Sequence, residues 1–295
     1  DVAIKFISKD YALHLVILIR TIVGLLVLFF LIIPLSGGIK LLRTKRLALH
    51  LSRGCCVVFA NITFFLGLAA LPLAEGVAIF FISPLLITIF SVIFLNEIVG
   101  PRRWAAVTIG LIGVLVILRP GSETFQIASL LPLLAAFGYA TLHMLTRYIG
   151  KTESAASMSF YIQITFLIVC LLLGLIIGDG KFSGMDDPSL EFLFRAWSWP
   201  STDHYLILIL IGITSAFGGF FISQAYRISE AAVVAPFEYI ALPIAVFWGI
   251  IIFGELPDKT TVVGIALILG SGLYIIWRET VSKDAKTSGV PRYRR

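Results

Sequence analysis

The chain has 295 residues, of which 59% are hydrophobic and 14% charged, and its mean hydropathy is +1.00. A soluble domain of this length cannot hide so much apolar surface, so that class is excluded. The net charge of +6 comes from Lys and Arg spread over short connections, which leaves no basic face for nucleic acid.

Apolar runs without period-two alternation suit helices crossing a core about 30 Å thick, and helices satisfy their own backbone in lipid. Spans are predicted at residues 11–34, 50–70, 74–95, 103–119, 126–148, 158–178, 205–226, 231–253 and 260–277. The segment Asp1–Lys9 reads as the end of a further helix, giving an all-α bundle of ten. The only long connection is 179–204, rich in Asp, Gly, Pro and Trp, whose Leu190–Trp199 part could lie on the membrane surface with Trp197 and Trp199 at headgroup level. Cys55, Cys56 and Cys170 all fall in apolar runs and read as small core residues.

Sorting the 23 Lys and Arg by alternate connections puts 16 on one side and 7, with the embedded Arg20, on the other. Positive residues mark the cytoplasmic side, so the C-terminus is expected inside and the 179–204 connection outside. The chain holds no HExxH, GxSxG, P-loop or GxGxxG opening a soluble βαβ unit. No enzyme activity, cofactor or metal is expected.

Residues 71–104 match 229–262 at a constant offset of 158, pairing Ala74 with Ala232, Glu97 with Glu255 and Phe80 with Glu238. Lys5–Lys9 matches Arg147–Lys151 at an offset of 142, which sets Asp1 against His143. Two five-helix repeats follow, 1–120 and 125–280, with a basic tail at 281–295. Five is odd, so the second repeat should be inverted, a common plan for secondary transporters. On the same register the first helix should start some sixteen residues before Asp1.

Several segments carry a resemblance. They are LHLSRG (49–54), LPLAEGVAIFFISPLL (71–86), the stretch 96–121 beginning NEIVGPRRW, TRYIGKTESAASMSFY (146–161) and the long stretch APFEYIALP…YIIWRE (235–279). In this order the chain resembles the EamA type within the drug/metabolite transporter superfamily, nearest to the subgroup containing S-adenosylmethionine carriers. That subgroup also resembles riboflavin and amino-acid carriers. The resemblance implies ten helices with both termini cytoplasmic, a central cavity lined by helices 1–4 and 6–9, and helices 5 and 10 packed behind. It implies a multi-pass protein of a plasma membrane, a bacterial inner membrane above all.

Charge inside a membrane usually faces a cavity or a partner. Glu238 reads as a substrate or proton ligand facing the cavity, or as half of a buried ion pair. Arg20 reads as a carboxylate holder or a helix brace. His143 reads as a proton relay or a donor to a helix carbonyl. Asn61, Tyr139, Gln163, Gln224 and Tyr239 read as cavity-lining groups or interhelical hydrogen-bonding groups. Phe80 reads as a ring that stacks on a planar substrate or, more simply, as lipid-facing packing. Pro84, Pro236 and Pro243 should kink the fourth and ninth helices. Gly110, Gly113, Gly270 and Gly272 permit close helix contact, within the bundle or as a homodimer seam through helices 5 and 10.

The expected function is a secondary active carrier of a small organic metabolite (an amino acid, an amine or a related zwitterion) working by alternating access. A coupled proton or an exchange substrate supplies the energy. The alternatives are a carrier of S-adenosylmethionine or riboflavin and, in another class, a non-transporting membrane enzyme or assembly factor.

Overall fold

A computed structural model describes residues 1–120 and 126–287. Among them all regular structure is helical. The helices are α1 Val2–Ile7, α2 Leu13–Ser36, α3 Leu47–Ala70, α4 Leu73–Leu95, α5 Pro101–Leu118, α6 Ile127–Ile149, α7 Ala155–Ile177, α8 Thr202–Ile228, α9 Ala235–Phe253 and α10 Lys259–Thr287. Helices α2 to α9 are each long and apolar enough to cross a membrane, and α10 contributes the apolar stretch Lys259–Ile275. Each of the nine predicted spans falls on one of these helices, eight of them long enough to cross a membrane. The first segment is helical from its start, with the Lys5 amide bonded to Asp1 O at 2.9 Å. The 125 boundary and the end of the basic tail lie outside the described residues.

Local chemistry sets the helix ends. Gly100 precedes Pro101 at the first turn of α5, where proline's missing N–H costs nothing. Ser154 accepts the Ser157 amide at 3.1 Å and caps α7. Asp187 accepts from Ser189 and Leu190 and starts a short helix, Pro188–Phe194, in the long connection. That helix is anchored by Ser189 Oγ to Leu66 O at 2.7 Å, while Trp199 is 87% exposed. One boundary moves: α10 runs to Thr287 instead of 277. Beyond the apolar span, Ser282–Lys286 contains no Gly or Pro to stop it.

The expected breaks in α4 and α9 occur at matched places. α4 consists of Leu73–Phe80 and Ser83–Leu95, interrupted at Phe81 and Ile82. α9 is preceded by the helical turn Ala231–Val234, begins as a tighter 3-10 segment Ala235–Ile240 and becomes α-helical at Ala241. Prolines at 84, 236 and 243 remove ladder donors in these stretches. Both helices then end on a left-handed residue, Asn96 at φ 55° and Gly254 at φ 66°. Each is followed by a glutamate amide bonded six residues back, Glu97 to Ser91 O and Glu255 to Gly249 O, both at 3.1 Å.

The principal packing joins the first five helices to the last five. α3 lies along α6, α2 along α7 and α8, α4 along α9, and α5 along α10. Of the α5 glycines, Gly113 serves that last contact, and Gly110 lies against both α4 and α10. A methyl group on Gly113 would come 2.8 Å from Gly264 O, and one on Gly110 would come 2.8 Å from the Leu85 side chain. In this structure they are filled from within the chain.

Candidate substrate-binding site

A pocket of about 230 Å³ lies between α2, α3, α6, α7 and α8. Its α3 wall is Arg53, Val57 and Asn61, which recur every fourth residue and therefore share a helix face. α2 contributes Arg20, α6 Tyr139, Leu142, His143 and Thr146, and α7 Ser159, Ile162, Gln163 and Phe166. α8 contributes Ser215, Ala216, Ile222 and Ser223, with Gly218 and Gly219 bare toward open space.

Two guanidinium groups dominate the lining. Arg20 is 6% exposed and Arg53 0%. Arg20 Nη1 donates to Asn61 Oδ1 at 3.0 Å, and its guanidinium lies 4.8 Å from the centre of the Phe166 ring, a cation–π contact. Arg53 Nε donates to Thr146 Oγ1 at 3.0 Å. One turn before Arg53, His50 Nε2 lies 3.2 Å from Glu153, which also accepts from Thr44 Oγ1 at 2.9 Å.

Glu238 stands behind the wall. Its carboxylate accepts the Tyr226 hydroxyl at 2.5 Å and that of Tyr139 as well. The His143 ring lies between them, 4.2 Å from Tyr139 and 3.9 Å from Tyr226, ring centre to ring centre. Glu238 therefore meets the pocket through Tyr139. Of the residues singled out from the sequence, Arg20, Asn61, Tyr139, His143 and Gln163 line this cavity, and Glu238, Tyr239, Phe80 and Gln224 do not. Phe80 packs between Phe64 and Tyr139. The Tyr239 ring lies against Phe81. Gln224 accepts from Arg227 at 3.4 Å near one end of the bundle.

Sequence reading missed Arg53, counted there as a surface cation. The i, i+4, i+8 spacing of Arg53, Val57 and Asn61 was the signal that could have found it.

The pattern of the EamA-like transporter family matches residues 1–119 and again 126–277. This chain belongs to that family. An S-adenosylmethionine uptake transporter of Rickettsia prowazekii (strain Madrid E) is 30% identical over 249 residues, 84% of this chain and 78% of that one. A riboflavin transporter of Brucella anthropi is 32% identical over 243 residues, 82% of this chain and 81% of that one. A crystal structure with 17% identity superposes at a TM-score of 0.68, covering 92% of this chain and 91% of that chain, a likeness of fold. The EamA-like protein is thus a multi-pass membrane transporter of small molecules and not an enzyme.

In this transporter the pocket lies between two sets of polar ties. At one end, Lys5 Nζ bonds Glu255 Oε1 at 2.7 Å and Leu71 O at 2.6 Å, and Glu255 Oε2 accepts the Leu73 amide at 2.6 Å. At the other, Glu97 Oε1 accepts the Ala231 amide at 3.2 Å, with Arg147 Nε 3.9 Å away. A carboxylate on a helix's first amides meets both the free N–H groups and the positive end of the dipole.

Proposed function

We propose that this EamA-like protein is a secondary active carrier that moves a small organic metabolite by alternating access. Its two halves, 1–120 and 125–280, act as inverted copies rocking about the pocket. The observation that carries this reading is the match between the two sets of ties. Lys5 and Arg147 correspond at offset 142, Leu73 and Ala231 at 158, and Glu97 and Glu255 at 158. Equivalent contacts thus stand at opposite ends of the bundle, as two gates that never open together require. The sequence has no P-loop, so a coupled proton or a counter-moving substrate is the energy source in this reading. In this reading the C-terminus lies on the cytoplasmic side of a bacterial inner membrane, which the charge bias supports.

Pocket size bears on the substrate. About 230 Å³ falls below the roughly 300–1,000 Å³ typical of drug-sized ligands, which suits an occupant the size of an amino acid. The named relatives favour a second reading, S-adenosylmethionine or riboflavin, for which the cavity has to widen.

Counterflow in proteoliposomes tests the function. The purified protein, loaded with unlabelled amino acids, organic acids, S-adenosylmethionine or riboflavin in turn, should accumulate the labelled form of at least one. Protein-free rates across the whole panel would sink the carrier reading.

A further inference from the structure

We propose that the pocket selects an organic dianion, two acidic groups on one short chain, bound by Arg20 at one level and Arg53 at the other. The inference names the substrate class of the carrier proposed above and rests on that reading. Arg53 donates Nε to Thr146 Oγ1 and Nη1 to Met158 O at 3.4 Å, and its Nη2 has no partner. Arg20 gives Nη1 to Asn61, and its Nε has none. Among the described residues neither guanidinium is paired with a carboxylate.

Arginine does not shed its proton in proteins, so two positive charges stay in the bundle interior. A buried charge without a counter-charge is strongly unfavourable. Of the nearby acids, Glu238 accepts from Tyr226, Glu153 faces His50 and Thr44, and Asp1, whose amino group lies within electrostatic reach of Arg20, forms no ion pair with it. The missing negative charge is best supplied by the cargo, and each guanidinium still has an N–H to offer it.

Two helices measure the separation independently. On α3, eight residues run from Arg53 to Asn61, the partner of Arg20. On α7, eight run from Met158, the partner of Arg53, to Phe166, which lies against Arg20. At 1.5 Å per residue, each count puts the levels about 12 Å apart. A charge-assisted N–H···O contact takes up about 3 Å at each end, which leaves room for acid groups roughly 6 Å apart. The waist between them carries Val57, Leu142 and Ile162, apolar surface for a methylene chain. Arginine is also suited to bidentate recognition of a carboxylate.

Adipate and its monoacid, hexanoate, are the probes, with putrescine as the matching dication. Binding to the full-length protein in lipid nanodiscs is measured by calorimetry, and labelled adipate uptake is followed in proteoliposomes. Adipate should bind at least tenfold tighter than hexanoate. R20Q and R53Q should each erase that advantage, while R20K and R53K, which keep the charge, recover part of it even where the neutral variants fold poorly. Hexanoate or putrescine binding as tightly as adipate overturns the proposal, as does an undiminished preference for adipate in folded R20Q and R53Q. Adipate bound but never moved would count against the carrier reading alone. Riboflavin or an amine moved in preference to adipate would leave the carrier reading in place and remove this one.

Discussion

Glu97 and Glu255 perform the same task at opposite ends of the bundle: each leaves a left-handed helix end and binds the first amide of the broken helix in the other half. Glu97 reaches Ala231 and Glu255 reaches Leu73. A charged hydrogen bond contributes about 1.5–3 kcal/mol, and about 1.4 kcal/mol is a factor of ten in an equilibrium.

Cutting either tie should therefore open one mouth only. E255Q should raise thiol labelling of a cysteine placed at Ser215 from the 179–204 side by tenfold or more, and E97Q should do so from the opposite side. Labelling that rises from the same side in both variants would show that the two glutamates are not paired gates.

Orientation can be read by membrane-impermeant labelling in intact cells, after Cys55, Cys56 and Cys170 are replaced. A cysteine at Ser183 should react from outside, and one at Lys40 only after permeabilisation. The reverse pattern would invert the topology drawn from the charge bias.

Glu238 should act by holding Tyr139 in the pocket wall. Gln in its place still accepts a hydroxyl hydrogen, so E238Q should keep transport within about threefold, allowing about 0.7 kcal/mol of change at 1.4 kcal/mol per tenfold. E238L leaves two buried tyrosine hydroxyls without their acceptor, at about 1–3 kcal/mol each, and should lose most activity. Turnover per folded molecule, measured with melting temperature on the same samples, separates the roles. A collapse of turnover in stable E238Q would point to proton chemistry at Glu238 instead.

Asp258, in the connection before α10, is held well below the usual carboxylate range by the Thr261 hydroxyl and the Arg119 guanidinium. A carboxyl depressed on folding adds stability above its unfolded pKa of about 3.9, and that stability fades as pH falls through the folded value. The pair is half exposed, so D258N should cost at most about 1 kcal/mol near pH 7. The difference between variant and parent in thermal unfolding should shrink once pH drops below about 4, and a gap that widens in acid would contradict the assignment.

Small residues between α5 and α10 give a handle on packing. G113L puts a side chain into the space filled by Gly264 and Ile268 and should lower the melting temperature of the monomer, since overpacking costs about 1–3 kcal/mol. An unchanged monomer with altered association would instead make this seam an interface between copies.

Hydropathy, charge bias and the two offsets made the spans, the family and the breaks in α4 and α9 legible in the sequence. The reason is that lipid imposes a length of roughly 20 apolar residues on each crossing, and proline breaks a backbone ladder wherever it falls. What the sequence left undecided was which way each interior side chain turns. In a membrane an apolar residue reads alike whether it faces lipid or a neighbouring helix, so periodicity is a weak guide to helix rotation. Arg53 reads as a loop cation in the sequence, yet α6 and α7 close around it, and Glu238, which the sequence leaves open between cavity ligand and buried pair, has its carboxylate bonded by Tyr226 and Tyr139. The contacts of Arg53 with Thr146 and of Glu238 with Tyr139 join residues more than ninety positions apart, and only the tertiary structure brings them together.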